Sequence, residues 1–247
     1  MHQHKFTFGG KFTAENLYVT EVGKIKVDPS MVSALKPFTD QNSEDDYITA
    51  ADIIEDIIFA GEKDLPEDIC HLIKLMKYES TQFEYVIRCH ISSLDSRSQL
   101  DHFSWMFKRL DFLELSDPQN YDDIVKKIPY GQGQWKQMVK RSKLLQSIYD
   151  YKKRQSTFED SGKGLVSLGR NSVEHLTKKS VKIVKRKKKV KGQMKKVTVI
   201  VKRIPLFEDF QIQHIICDVY SELFGEMQKA FHSEGELTRF NLEETIK

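Results

Sequence analysis

The densest group of chemically active side chains in this sequence is a run of cations between residues 185 and 196. It consists of Lys185, Arg186, Lys187, Lys188, Lys189, Lys191, Lys195 and Lys196. Because each phosphate that such side chains neutralise releases condensed counterions, cations at this density favour a polyanion, and spaced phosphates above all. The run therefore predicts a nucleic-acid-binding site, and we expect Lys136, Lys140 and Lys143 to extend it.

The pairing of these cations supports that interpretation. A turn at Lys191-Gly192 predicts a β-hairpin in which Val184 faces Val199 and Ile183 faces Ile200. The same register places Lys187 opposite Lys196 and Lys188 opposite Lys195. Like charges directly opposite each other destabilise a hairpin, so a bound anion would relieve the conflict.

The charge of the chain is divided unevenly along its length. Residues 130–204 hold 22 Lys or Arg against four acids, a formal charge of +18, although the whole chain carries only +3. The other 172 residues therefore carry −15. This asymmetry indicates an anionic partner for the basic segment, and it also allows the two parts to attract each other.

Other uses of the basic run stay open. The sequence of Lys185–Lys191 matches a nuclear-import run, and a basic patch also binds an anionic membrane surface. The chain lacks an RNP-type motif, a zinc finger and a KH glycine loop, so we expect recognition of backbone and shape. Tyr149, Tyr151 and Phe158 are candidates for stacking on bases, although Tyr149 also fits a buried helix face.

The cysteines and histidines do not predict a metal centre. Cys70-His71, Cys89-His90 and His214-x-x-Cys217 are adjacent or nearly adjacent pairs, and neighbouring residues on a helix point about 100° apart. Their cysteines lie in apolar stripes, as expected for small buried hydrophobes. We predict no metal and no cofactor. Three cysteines also exclude a secreted disulfide framework.

No pattern of residues predicts an enzyme. The chain lacks the G-x-S-x-G motif, and Gly162-Lys-Gly164 with Gly169 lacks the order of a phosphate-binding P-loop. Paired acids such as Asp45-Asp46, Glu55-Asp56 and Asp122-Asp123 fit capping and solubilising roles. A metal-dependent nuclease using such acids remains the third interpretation.

The N-terminal 30 residues predict short β-hairpins. Phe6–Phe8 and Lys11–Thr13 alternate around Gly9-Gly10, and Leu17–Val22 and Lys24–Val27 alternate around Gly23. Because two hairpins alone are marginally stable in water, these strands are expected to pair locally or with another segment. Exposed strands of this kind favour self-association.

Residues 39–129 predict an acidic helical bundle. An acidic loop at 39–46 precedes a helix whose face contains Ile53, Ile54, Ile57 and Ile58. Four further amphipathic segments lie between Asp64 and Ile128, with Pro66 at the start of one helix and Asp117-Pro118 breaking another. Short links between such segments are typical of a bundle.

Residues 130–204 predict a long basic helix from Trp135 to Tyr149, a flexible loop at 156–172 and the hairpin. Residues 205–247 predict one long helix, with a stripe from Ile212 to Phe231, that packs back on the bundle. We expect all of these segments to form one compact unit.

The sequence thus predicts an α+β fold, mainly α, and a non-catalytic nucleic-acid-binding protein, with RNA as the favoured partner. Such a chain would suit a coat, nucleocapsid (including a viral one) or ribonucleoprotein assembly. The alternative is a matrix-like scaffold on an anionic membrane or an acidic protein. The absence of a secretory core and of an 18-residue apolar run predicts an intracellular protein of the cytoplasm or nucleus, without a transmembrane segment.

Overall fold

The computed structural model describes residues 5–21, 25–60, 62, 64–130, 134–153, 158–177, 180–190, 193–204, 207–240 and 242. Side chains are described for all of these except 152–153, 177, 180–190 and 193–204. The chain is mainly helical with a few short antiparallel strand pairs, which confirms the predicted fold class. Among the described residues, none of the helices combines the length and apolarity that crossing a membrane requires.

The chain divides into two compact units. One, the acidic unit, comprises residues 1–94 and 222–247, and the other, the basic unit, comprises residues 95–221. The acidic unit holds 12 Lys or Arg against 22 Asp or Glu, a formal charge of −10, whereas the basic unit holds 27 against 14, which gives +13. The charge asymmetry of the sequence therefore follows the division of the fold.

The acidic unit begins with four short strands and ends with a helix from the C-terminal part of the chain. Its elements are β1 (Phe6–Thr7), β2 (Leu17–Val19), β3 (Ile25–Val27), β4 (Lys36–Pro37), α1 (Asp40–Asp52), α2 (Glu67–Tyr78), α3 (Ser80–Arg88) and α10 (Leu223–Ser233). Strand β2 pairs with β3, with Val19 opposite Ile25, so the second predicted hairpin is confirmed. Strand β1 pairs instead with β4, with Phe6 opposite Pro37, so the first predicted hairpin is wrong.

The acidic loop predicted at 39–46 is in fact the first part of helix α1. Thr39 caps this helix by accepting a hydrogen bond from the Asn42 backbone N–H. The carboxylate of Asp46 is buried and accepts from the backbone N–H groups of Phe8 (2.9 Å) and Gly10 (2.8 Å). Asp46 therefore holds the N-terminal turn in place, and it does so through residues that precede it by almost forty positions.

The isoleucine face predicted after α1 is also wrong in part. Residues Ile53–Ile58 form a π-helical segment, in which the Phe59 N–H donates to the Ile54 carbonyl oxygen. The wider turn rotates Ile57 and Ile58 outward, and both are exposed, while Ile53 remains buried. Gly61, a residue type that commonly follows the end of a helix, lies outside the described residues.

The core of the acidic unit is formed where α2, α3 and α10 meet. Leu75, Phe83 and Val86 are buried together with Met227 and Phe231 of α10. Buried polar contacts reinforce this packing, since the Gln228 side chain accepts from the Ile91 N–H (2.9 Å) and donates to the Cys89 carbonyl (3.0 Å).

The basic unit is built around one long central helix. Its elements are α4 (Ser96–Ser116), α5 (Pro118–Lys127), α6 (Gln134–Met138), α7 (Lys143–Lys153), α8 (Gly162–Thr177), β5 (Ser180–Val190), β6 (Gln193–Ile204) and α9 (Asp209–Cys217). Helix α4 packs on α5, α8 and α9. Its inward face contains Leu100, Phe103, Met106, Leu110 and Leu113, all of them buried as their helical spacing predicts.

The segment predicted as a flexible loop contains helix α8, so that prediction is wrong. Leu165, Val166 and Leu168 of this helix are fully buried. Its glycines permit close packing, since a Cβ atom added at Gly169 would lie 2.6 Å from Cζ of Phe103 in α4. The glycine content that resembled a linker therefore serves helix–helix contact.

Two helices that were predicted as continuous are interrupted. The basic helix breaks at Ser142, whose extended backbone separates α6 from α7 and whose hydroxyl accepts from the Leu145 N–H. The long C-terminal helix is replaced by α9 and α10, because the apolar faces on either side of Tyr220 are buried in two different cores. Tyr220 itself is buried in the basic unit and donates its hydroxyl to the Trp135 carbonyl oxygen.

Candidate nucleic-acid interface

The basic hairpin of β5 and β6 has the register that the sequence predicts. The structure pairs Val184 with Val199, Ile183 with Ile200, Lys187 with Lys196 and Lys188 with Lys195. The two strands form a two-stranded antiparallel sheet, and within the described chain they pair with no other strand. The predicted turn residues, Lys191 and Gly192, lie outside the described residues.

The register divides the basic positions evenly between the two faces of the hairpin. Residues directly opposite each other share a face, and successive residues of a strand alternate between faces. One face therefore contains the positions of Lys182, Arg186, Lys188 and Lys195. The other contains those of Lys185, Lys187, Lys189 and Lys196. The hairpin thus has cationic positions on both sides.

The spacing of these positions suits a polyanion. Opposite positions on paired strands lie about 5 Å apart, and every second position along a strand lies roughly 7 Å from the last. The two lysines within each pair, Lys187–Lys196 and Lys188–Lys195, therefore repel each other in the unbound protein. Because the two pairs lie on opposite faces of the hairpin, an anion bound at each pair would lower that repulsion.

The three helical lysines that were expected to extend the site have different surroundings. Lys136 of α6 is half-buried, its Nζ lying 3.3 Å from Asp160 Oδ1 and 5.6 Å from the centre of the Trp135 ring. Lys140 and Lys143 are exposed, and neither forms an ion pair within the described residues. The amine of Lys136 therefore already interacts with Asp160 and Trp135, whereas Lys140 and Lys143 are exposed to a ligand.

The aromatic residues near these lysines mostly contact one another. The rings of Tyr149 and Phe158 stack with centroids 5.6 Å apart, and Trp135 meets each of them edge-on at 6.0 Å. Phe158 is buried, so its ring is not exposed for the stacking on a nucleic-acid base that the sequence suggested. Tyr151 is 55% exposed.

A cleft between α4 and α8 in the same unit was not foreseen from the sequence. It has a volume of about 320 Å³ and is lined by Phe107, Asp111, Phe158, Glu159, Lys163, Gly164, Ser167, Arg170 and Asn171. Gly164 is essential to its shape, since a Cβ atom there would lie 2.1 Å from the Glu159 carbonyl oxygen. The glycines between residues 162 and 169 are the sequence feature that could have indicated this close packing against the backbone of α8.

Lys163 fastens the two helices that form this cleft. Its amine forms ion pairs with Glu114 and Asp111 of α4 and lies 5.3 Å from the centre of the Tyr121 ring. The second cation of the cleft, Arg170, is paired with Glu174 at 2.6 Å and lies over the Phe107 ring. The cleft therefore holds balanced charge rather than a simple anion site.

The Cys-His pairs of the sequence do bring two histidines together in the acidic unit. His71 Nδ1 lies 2.9 Å from His90 Nε2, and His71 Nε2 lies 3.1 Å from Glu226 Oε1. The Ser92 backbone N–H donates to His90 Nδ1, so His90 carries its proton on Nε2 and donates it to His71. His71 in turn donates to the Glu226 carboxylate.

The cysteines of those pairs do not join this network. Cys89 is buried and donates its thiol to the Tyr85 carbonyl oxygen, and burial raises its pKa to about 12. Cys70 is exposed, contrary to its expected place in an apolar stripe. Within the described ranges, no group of three or more His, Cys, Asp or Glu side chains is arranged to hold a metal ion.

No family model, curated protein or solved structure matches this chain.

Proposed function

We propose that this protein binds nucleic acid without catalysing a reaction, through the hairpin of β5 and β6, and that single-stranded RNA is its preferred partner. The observation that carries the proposal is the register of the hairpin, which opposes Lys187 to Lys196 and Lys188 to Lys195. A fold that places like charges opposite each other is more stable when an anion is bound.

The distribution of charge between the two units supports a large, multiply charged partner. The basic unit carries +13 and the acidic unit −10, so the whole chain is nearly neutral while one unit is strongly cationic. A small anion would neutralise only two or three of the hairpin positions. A phosphate backbone supplies negative charges at regular intervals along the hairpin.

The two-sided arrangement of cations favours a flexible strand. A single strand can follow both faces of the hairpin, with Lys188 on one side and Lys187 on the other. The deep, narrow major groove of an RNA duplex would not admit a two-stranded ribbon, whereas the groove of B-form DNA would. Duplex DNA is therefore the strongest competing ligand.

Assembly into a nucleocapsid, coat or ribonucleoprotein is supported by the N-terminal hairpin of β2 and β3. Val19 and Ile25 are opposite each other on this hairpin and are 68% and 63% exposed. Within the described residues, the hairpin pairs with no further strand. Open edges and exposed apolar pairs promote pairing between chains. Sedimentation of the double variant Val19→Lys, Ile25→Lys, compared with the unmodified chain, tests for such assembly.

The decisive test is fluorescence anisotropy with labelled single-stranded and duplex RNA and DNA over a series of salt concentrations. If about five phosphates are neutralised, log K falls against log salt with a slope of roughly −3.5 for a single strand and −4.5 for a duplex. No binding at low salt overturns the proposal. Flotation with anionic vesicles then tests the alternative, a matrix-like scaffold, and metal-dependent loss of the probe would reveal a nuclease.

A further inference from the structure

We infer that the cleft between α4 and α8 receives one unstacked base of the bound strand and prefers bases with an exocyclic amino group over uracil. This inference rests on the proposed function and adds a base-reading site to a backbone-binding hairpin. Sequence-specific recognition of RNA commonly takes single-stranded bases that are splayed out, stacked on aromatic or arginine planes and hydrogen-bonded at their edges.

The position of the cleft links it to the hairpin. Helix α8 supplies Lys163, Gly164, Ser167, Arg170 and Asn171, and in the sequence it is the element that precedes β5, which begins at Ser180. From Asn171 to the end of the helix at Thr177 is roughly 9 Å at 1.5 Å per residue. Along β5, Lys187 lies seven positions beyond Ser180, roughly 23 Å at 3.3 Å per residue. A strand of about ten nucleotides, at roughly 3.4 Å or more per nucleotide, is long enough to bind the hairpin and still reach the cleft.

The lining combines a flat apolar surface with edge-reading groups. The partly exposed Phe107 ring and the Arg170 guanidinium, 5.7 Å from its centre, provide planes for stacking. The Ser167 hydroxyl forms no hydrogen bond within the described residues, and the only hydrogen bond of the Asn171 side chain there is from Arg170 Nη1 to its Oδ1. The Ser167 hydroxyl and the Asn171 amide N–H groups are therefore available to a ligand.

The two carboxylates of the cleft explain the expected base preference. Asp111 and Glu159 make the lining unfavourable for a phosphate, despite Lys163 and Arg170. Glu159 accepts one hydrogen bond, from the Ser161 hydroxyl at 3.2 Å, and keeps further acceptor capacity. A carboxylate accepts hydrogen bonds from an amino group such as that of cytosine. Uracil has a carbonyl oxygen at that position, and because a carbonyl oxygen and a carboxylate are both acceptors, they cannot form this hydrogen bond.

The test compares oligocytidylate with oligouridylate, each about ten nucleotides long, binding to the full-length chain. The two bases have the same size, and they differ in whether the edge carries an amino group. We expect oligocytidylate to bind roughly tenfold more tightly. Glu159→Gln should reduce this ratio, and Ser167→Phe, which fills the cleft, should abolish it while leaving the salt slope unchanged.

Asp122→Asn is the matched control, because it removes the same charge from an exposed site of the basic unit outside the cleft. It should keep the ratio of the unmodified chain. Equal affinities for the two oligonucleotides in the unmodified chain would overturn the base-reading cleft and leave the hairpin proposal intact. Absence of binding to either one would overturn both. A ratio that survives Ser167→Phe would place the base preference elsewhere and contradict the inference.

Discussion

Inside the acidic unit, His90 donates a hydrogen bond from its Nε2 to Nδ1 of His71, and the two atoms lie 2.9 Å apart. Both rings are buried, and the chain of hydrogen bonds runs from Ser92 through the two rings to Glu226 on α10. Each ring nitrogen already has a partner suited to the neutral state. A proton added to His90 Nδ1 would therefore face the Ser92 backbone N–H, a second donor.

This network predicts that acid destabilises the acidic unit. Burial, together with the neighbouring His71, lowers the pKa of His90 from 6.5 to about 3. The hydrogen bond from His71 lowers the pKa of Glu226. Both groups bind protons more readily in the unfolded chain, so stability is lost through His90 as the pH falls below about 6.5 and through Glu226 as well below about 4.5. We expect the melting temperature to drop by on the order of 5 °C between pH 7 and pH 5.

Calorimetry on two variants separates this effect from general acid unfolding. His90→Asn removes the titrating ring, so the melting temperature of this variant should change less with pH. His214→Gln removes an exposed histidine of the basic unit and should keep the full pH dependence. Charged groups also lie around the network: Lys74 and Lys229 near Glu226, and Asp68 near His71. Equal pH dependence in His90→Asn and the unmodified chain would refute the prediction.

Gln228 is predicted to be essential for holding α10 in the acidic unit. Its fully buried side chain satisfies the Ile91 N–H and the Cys89 carbonyl. Gln228→Leu leaves both groups buried without a partner, which should cost roughly 2–5 kcal/mol in urea unfolding. Gln82→Leu changes an exposed glutamine of the same unit and should stay within about 0.5 kcal/mol. A cost below about 1 kcal/mol for Gln228→Leu would contradict this role.

The hairpin tip is predicted to serve binding rather than folding. Replacing Lys187, Lys188, Lys195 and Lys196 with Ser should abolish RNA binding at moderate salt. Because opposed like charges are removed, the melting temperature should stay constant or rise. The matched control replaces four exposed lysines of the acidic unit, Lys5, Lys11, Lys26 and Lys74, and should retain binding. A large fall in melting temperature for the tip variant would show that the tip is structural.

Lys140 and Lys136 should differ in their contribution to binding. Lys140 is exposed and forms no ion pair within the described residues, so Lys140→Ser should reduce the magnitude of the salt slope by about 0.7. Lys136 is already paired with Asp160, so Lys136→Ser should reduce it by less. Anisotropy titrations over the same salt series measure both slopes. Equal reductions would mean that the Lys136–Asp160 pair opens when nucleic acid binds.

The features that the sequence predicts correctly depend on contacts between near neighbours in the chain. The register of β5 and β6 follows from one turn and from alternation along two strands, and the presence of the β2–β3 hairpin follows in the same way. The inward face of α4 follows from apolar residues at helical spacing. The concentration of cations in 130–204 is a property of composition alone.

The features that the sequence leaves undecided depend on contacts between distant residues. Asp46 is buried because its carboxylate accepts from the N–H groups of Phe8 and Gly10. Gly169 belongs to a helix because Phe103 of α4 lies against its Cα. The apolar stripe from Ile212 to Phe231 is interrupted because its two halves are buried in different cores. Composition and short-range periodicity contain no record of these partners, so only the tertiary structure decided them.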